Sequence, residues 1–148
     1  MKTEFNEIEK IDDIVKVLNG GLSFYEDAME HVKSHQIETV FGKMILQKRT
    51  AIAKLQPYAK EQTGDVEEDT SFTVELRKLY AKALSAVSSD ADMPYVDQLE
   101  EVEEQTVKLI KEALEQNQLV ALKQVLSAVL RDAEMCLDEM KTLQNSAS

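Results

Sequence analysis

The apolar residues of this chain return every three or four positions through most of its length, which is the spacing of amphipathic α-helices. Four long helices are predicted on this basis, over about Glu4–Val32, Ile37–Glu61, Pro94–Glu115 and Leu119–Leu143. A short further helix is predicted within about Thr70–Val87. The alternating apolar pattern that is typical of strands does not occur to any extent. The sequence therefore predicts an all-α fold.

Two places inside these stretches leave an alternative to consider. Asn19-Gly20-Gly21 lies within the first helix, where two glycines weaken a helix by roughly 1 kcal/mol each relative to alanine. The apolar stripe keeps its phase across them, so a continuous helix is expected, with a kink as the alternative. One unbroken helix from Pro94 onwards would extend about 75 Å, beyond the reach of the others, so a hairpin at Gln116–Gln118 is preferred. Asp92 is placed to cap the helix that Pro94 begins.

The lengths of the connections predict how the helices pack. Short turns at Lys33–Gln36 and Gln116–Gln118 make the first pair and the last pair antiparallel. Roughly thirty residues join the two pairs, beginning with the loop-like Gln62–Ser71, and they are long enough to return along the bundle. The expected fold is a four-helix bundle in up-down-down-up order, in which the second and third helices are parallel and a long crossover carries the short extra helix.

Lys48 interrupts the apolar face of the second helix. Phe41, Met44, Ile45 and Leu55 cluster on that face, and at about 100° per residue Lys48 falls near its middle. An unpaired ammonium in a bundle core would cost several kcal/mol. Lys48 is therefore expected either to meet carboxylates inside the bundle or to extend its amine to water at a boundary between helices.

Composition places the chain among single-domain globular proteins. Its 148 residues, treated as one domain over 1–148, are 43% hydrophobic and 30% charged. The formal charge of −11 argues against nucleic acid or anionic membrane as a partner, because both select basic surfaces. No apolar run is long enough for a membrane span, and the polar, acidic N-terminus does not fit a secretory signal. A cytoplasmic location is expected, with Cys136 as a half-buried apolar residue.

The chain resembles the ferritin-like superfamily, and in particular a small bacterial ferritin-like domain family of unknown function. The features that carry the resemblance are "LNGGLSFYEDAMEHVK" in the first helix, a crossover helix after the second, and "LEEVEEQTVKLIKEALE" in the third. Members of the superfamily with di-iron chemistry use a glutamate from each of two helices and Glu-x-x-His from each of the other two. The resemblance implies the bundle topology and makes the metal ligands the question to test.

Only part of that ligand set has a counterpart here. Glu26 in the first helix and Glu103 in the third stand where ligand glutamates stand in the superfamily. The second helix presents Lys48 instead of a histidine, and the inward face of the fourth is apolar. No Glu-x-x-His occurs, so no di-iron site and no other cofactor are expected. A buried polar core cluster of Glu26, Lys48 and Glu103 is predicted in place of the metal centre.

Other candidate chemistry is sparse. The two histidines, His31 and His35, lie at the end of the first helix and in the following turn, and are expected on the surface. The acidic run Asp97–Gln105 has helical periodicity and is expected to be mainly a solvated helix face. No Gly-rich phosphate loop, CxxC or Gly-x-Ser-x-Gly motif is present.

Three functions remain open at this point. The favoured one is a non-catalytic bundle that acts by self-association or by binding a protein partner, and a homodimer is expected because Ile14, Val17 and Val74 lie off the main apolar stripes. The alternative is a ferritin-like di-iron oxidase or metal-storage protein. The third is a binder of an unidentified small molecule, in which Lys48 anchors an anion. The sequence favours a protein that is not an enzyme.

Overall fold

The computed structural model describes residues 2–63, 92–116 and 120–147. These residues form four helices and no strand, and we number the helices in chain order: α1 (Lys2–Met29), α2 (His35–Thr63), α3 (Met93–Glu115) and α4 (Val120–Ala147). The all-helical prediction is confirmed for this part of the chain. The predicted loop and short helix between the second and third long helices, within Gln62–Val87, fall almost wholly outside the described residues.

The predicted helix boundaries are close to those observed, and the differences have local causes. α1 runs without a break through Asn19-Gly20-Gly21, as the constant phase of its stripe predicted. α2 begins at His35, two residues earlier than predicted. Ser34 accounts for this start, because its Oγ accepts a hydrogen bond from the N–H of Ile37 at 3.3 Å, as an N-cap side chain does.

Asp92 plays a different part from the one the sequence suggested. It is the residue before α3 and Pro94 lies in the first turn, but its side chain makes no hydrogen bond to that helix. The carboxylate instead accepts hydrogen bonds from the backbone N–H groups of Lys33 (3.0 and 3.1 Å) and Ser34 (2.9 Å). Asp92 thus fastens the start of α3 to the turn between α1 and α2.

The helices pack as a bundle in which each has two neighbours. α1 packs against α2 and α3, and α4 packs against the same two helices, so that α2 and α3 face each other across the diagonal. The Asp92 contacts bring the starts of α2 and α3 to one end of the bundle. The end of α4 lies there as well, since Gln144 donates a hydrogen bond to Asp97 at 2.7 Å.

The apolar core has two parts, one toward each end of the bundle. The part near the α1–α2 turn is built around Tyr25, Phe41, Leu99 and Met140. The part toward the other end is built around Ile11, Leu18, Leu55, Ile110, Leu122 and Leu126. Lys48 lies on α2 between residues of the first part and residues of the second, and Glu103 lies between them on α3. A polar layer therefore separates two apolar layers.

Candidate functional site: a buried lysine–glutamate–tyrosine network

The polar layer is centred on an ion pair between diagonally opposed helices. Lys48 projects inward from α2 and is 2% exposed, and Glu103 projects inward from α3 and is fully buried. The Lys48 ammonium donates a hydrogen bond to Oε1 of Glu103, with Nζ and Oε1 2.5 Å apart. Of the two arrangements left open by the sequence, the structure has the enclosed one, because the amine does not extend to water.

Tyr25 of α1 supplies a second hydrogen bond to the Glu103 carboxylate. Its hydroxyl donates to Oε2 of Glu103 at 2.6 Å, so each carboxylate oxygen has its own donor. Burial, together with the charge and hydrogen bond of Glu103, raises the pKa of the Tyr25 hydroxyl well above its ordinary value. The ring packs edge-on against Phe41, with centroids 5.4 Å apart. Tyr25 is thereby held as a neutral donor.

Glu26, the third residue of the predicted core cluster, lies elsewhere. Successive residues of a helix are turned by about 100°, so when Tyr25 faces the centre, Glu26 faces the bundle surface. Its side chain is 47% exposed and pairs with Arg49 of α2, with Oε2 and Nη2 2.9 Å apart. The polar centre contains Lys48 and Glu103 from the predicted set, and Tyr25 takes the place expected for Glu26.

Gly21 of α1 lies directly beside the Lys48 side chain as that side chain enters the core. A Cβ added at Gly21 would lie 3.6 Å from Cε of Lys48 and 3.8 Å from Cγ1 of Val102, so the aliphatic stem of the lysine lies close over the α1 backbone here. The stem is packed against apolar neighbours while its ammonium reaches Glu103. The sequence shows both glycines, but it does not reveal this contact, which depends on the packing of α1 against α2.

Cys136 is the contribution of α4 to this layer. The thiol is 2% exposed rather than half-buried, and burial raises its pKa to about 12, although the nearby Lys48 ammonium acts in the opposite direction. A cavity of about 10 Å³ is lined in part by Lys48, Cys136, Gln47 and Asp132. That volume holds about one water molecule, far below the several hundred Å³ of a typical ligand pocket.

The donor chemistry of the layer does not suit a metal ion. It offers one carboxylate, which already accepts from an ammonium and a phenol, and a thiol that keeps its proton. No group of three or more histidine, cysteine, aspartate or glutamate side chains in the described residues is arranged to hold a metal. His31 and His35 are both exposed, and the His31 ring stacks on Tyr95 with centroids 6.1 Å apart.

The surface of the described residues has few large apolar side chains. Ile14 and Val17, which suggested a second apolar face, are 0% and 3% exposed and belong to the core. Val74 lies outside the described residues. The large apolar side chains that are exposed are Leu46, Val120 and Met135. No helix in the described part of the chain has the length and apolar character needed to cross a membrane.

The fold and the buried network define a small all-α helical bundle with a polar centre. The chain matches the family model described as "Domain of unknown function (DUF2383)" over residues 6–116, and it belongs to that family. The match includes Tyr25, Lys48 and Glu103 and ends before Cys136. Neither the curated proteins nor the solved structures contain a match to the chain.

Proposed function

We propose that this chain is a ferritin-like bundle of up-down-down-up order, in which the lysine–glutamate–tyrosine network replaces a metal centre and which acts by association rather than by catalysis. The starts of α2 and α3 lie at the same end of the bundle, which supports this order. A connection between Thr63 and Met93 must then travel the length of the bundle, which is roughly 40 Å for a helix as long as α2. The residues between them reach more than that when extended.

The observation that carries the non-catalytic assignment is the Lys48–Glu103 pair. A di-iron centre needs several anionic and imidazole donors around two cations, whereas here the core carboxylate is neutralised by an ammonium on the opposite helix. Tyr25 occupies the other carboxylate oxygen. Replacing this arrangement by a metal would require the loss of two strong hydrogen bonds and would bring a cation toward a buried positive charge.

The same geometry disfavours a small-molecule site at Lys48. The ammonium is enclosed, and the cavity beside it has room for about one water molecule. A larger open groove of about 390 Å³ lies along α3, lined by residues that include Val107, Lys111 and Leu137, but its lining includes no member of the network. An anion anchored by Lys48 therefore has no place in this arrangement.

Association is the role that remains for such a bundle, and we assign it first to a second copy of the chain. Leu46 and Met135 are 66% and 61% exposed and are available for such a contact. The formal charge of −11 opposes the approach of two copies, and salt screens that repulsion. The proposed location is the cytoplasm, whose reducing conditions suit an unpaired cysteine.

Metal analysis tests the non-catalytic part of the proposal. The full chain is expressed in medium supplemented with iron and manganese, and its metal content is measured after purification, beside Glu103→Gln. We expect far less than one metal ion per chain in both proteins. About one or two ions per chain in the parent, lost in Glu103→Gln, would overturn the proposal and establish the metal-binding alternative.

Sedimentation velocity tests self-association. Concentration series are run at low and at moderate salt for three proteins. These are the parent, the double variant that combines Leu46→Lys and Met135→Lys, and Lys123→Gln as a control at an exposed position. We expect dimerisation whose affinity rises with salt concentration and falls in the double variant. A monomer at every concentration and salt condition would exclude self-association as the function.

A further inference from the structure

Glu100 is a second buried carboxylate on α3, distinct from the network around Lys48. It lies within the acidic run that the sequence suggested was mainly solvated, yet it is 8% exposed. Its Oε2 atom is buried and has no hydrogen-bond partner in the described part of the chain. A buried ionised carboxylate without partners is unfavourable, whereas the protonated acid is much less so. Burial alone therefore favours a bound proton.

Some of the charged groups around Glu100 favour its protonated form and one favours its ionised form. Glu104 lies one helical turn further along α3, is exposed, and is within hydrogen-bonding reach of the Glu100 carboxyl group. Glu101 on the same helix adds further negative charge, and Lys141 of α4 favours the ionised form. α1, the other helix packed on α3, contributes no charged group to the set that acts on Glu100 in the described residues.

The effects that raise the pKa of Glu100 outweigh the one that lowers it. Burial is the largest, the hydrogen bond and charge of Glu104 come next, and together they raise the pKa of Glu100 to about 7 despite Lys141. The position of Glu100 matters as much as its titration, because it shares a face of α3 with Asp97 and Lys111, which both contact α4. We call this the α3–α4 seam, marked by the Asp97–Gln144 hydrogen bond and the Lys111–Glu134 ion pair.

We propose that the buried Glu100 carboxyl, with the exposed Glu104 carboxylate one helical turn away as its acceptor, forms a proton-binding site on the α3–α4 seam that couples the packing of these two helices to pH. With the proton bound, the Glu100 hydroxyl donates to the Glu104 carboxylate. Without it, two carboxylates one helical turn apart repel each other while one remains buried. The site makes the packing of α3 on α4 tighter below neutrality than above it.

The direction of the effect on stability follows from proton linkage. Between the ordinary pKa of a glutamate, 4.5, and the raised value of about 7, the folded chain binds more protons at this site than the unfolded chain. The free energy of unfolding therefore falls as pH rises through that interval. The full shift corresponds to a change of about 300-fold in the unfolding constant, and we expect at least about tenfold after solvent screening.

Direct titration of the carboxyl groups is the first test. Carbon-13 chemical shifts of the glutamate carboxyls in the full chain are followed from pH 3.5 to pH 9. We expect Glu100 to titrate near neutrality, and Glu104→Gln to move its midpoint down by about half a unit or more, since a neighbouring negative charge is removed. A Glu100 midpoint near 4.5 would overturn the proposal without need of any variant.

Stability measurements form the second test. Denaturant unfolding is measured at pH 5, 6, 7 and 8 for the parent, for Glu100→Gln and for Glu115→Gln, an exposed position on the same helix. The two variants have equal net charge, so any difference between them reports on the site. We expect the parent and Glu115→Gln to lose at least about tenfold in the folding constant between pH 5 and 8, and Glu100→Gln to lose much less. Equal pH dependence in all three would contradict the proposal.

Discussion

Lys48 and Glu103 form an ion pair across the diagonal of the bundle, between two helices that do not pack directly against each other. The pair is therefore surrounded by the other two helices, and both side chains are almost completely buried. A buried ion pair contributes little net stability to the fold, but removing one partner is strongly destabilising because the other charge stays buried without a partner. The pair consequently fixes which faces of α2 and α3 are turned inward.

Removing the lysine alone should be strongly destabilising. Lys48→Ala leaves Glu103 as a buried carboxylate with only Tyr25 as donor, and we expect a loss of about 3–5 kcal/mol in the free energy of unfolding. Lys48→Met combined with Glu103→Gln removes both charges at similar volume and should lose much less, or be stabilising. Chemical denaturation of Lys48→Met, Glu103→Gln and the double variant completes a double-mutant cycle, which gives the coupling energy between the two side chains.

The control for this cycle is the surface pair of Arg49 and Glu26, which joins α2 to α1. Both side chains are about half exposed, and such pairs are worth roughly 0–1 kcal/mol. The Lys48–Glu103 coupling energy should lie well above about 0.5 kcal/mol. Additive effects of the Lys48 and Glu103 substitutions would show that the charges do not interact as the structure describes.

Removing the hydroxyl groups of two core tyrosines, Tyr25 and Tyr95, should have different effects on the stability of the protein. Tyr25→Phe deletes the donor to Oε2 of Glu103 and should cost about 1–3 kcal/mol, because a buried charged acceptor loses a partner. Tyr95→Phe is the matched control, since the Tyr95 hydroxyl is buried without a hydrogen-bond partner in the described residues. Its removal should be neutral or stabilising. Thermal and denaturant unfolding of both variants checks this contrast, and equal losses would contradict it.

The periodicity of apolar residues was sufficient to predict the all-α fold and the continuity of α1, because both depend on a pattern within a single helix. It also singled out Lys48 and Glu103, whose charges stand out on otherwise apolar faces. The hydrogen bond from Tyr25 to Glu103 was not predicted, because an aromatic residue on the apolar face of a helix looks like an ordinary core residue. Glu26 was misplaced by one position, which is about 100° around the helix.

The depth of Cys136 and Glu100 could not be predicted from local pattern. Cys136 is covered because α4 packs beside Lys48, and Glu100 is covered because it lies on the α3–α4 seam. Both depend on how far one helix is rotated against its neighbour, which the sequence of either helix alone does not specify. Glu100 also sits among other acidic residues, so its sequence surroundings are typical of an exposed face.

Two helix glycines offer a test of packing around Lys48. Gly42 on α2 has nothing within 4 Å of an added Cβ, so Gly42→Ala should stabilise the protein by about 0.5–1 kcal/mol through helix propensity alone. Gly21→Ala places its Cβ in ordinary contact with the Lys48 stem and should be tolerated equally well. Gly21→Leu should instead displace Lys48 and cost about 1–3 kcal/mol by overpacking.

Unfolding measurements on these three variants separate propensity from packing. A stabilising Gly21→Leu would mean that the Lys48 stem does not lie over this part of α1. A destabilising Gly42→Ala would mean that the face of α2 around this residue is covered. The comparison of Gly21→Ala with Gly42→Ala isolates the contact with Lys48, because both changes add one methyl group within a helix.

The Cys136 thiol should be unreactive in the folded protein at pH 8. It is buried, and its pKa of about 12 leaves it fully protonated, whereas the thiolate is the reactive form. We expect labelling by an aromatic disulfide reagent to be slower by about a thousandfold or more than in denaturant, because reaction must await opening of the bundle. The same raised pKa gives a pH dependence. Above the ordinary thiol value of 9.0 the unfolded chain loses this proton first, so the contribution of Cys136 to stability declines as pH rises toward 12. Rapid labelling of the native chain, at a rate close to that in denaturant, would show that α4 does not cover the thiol and that the polar layer is open to solvent on that side.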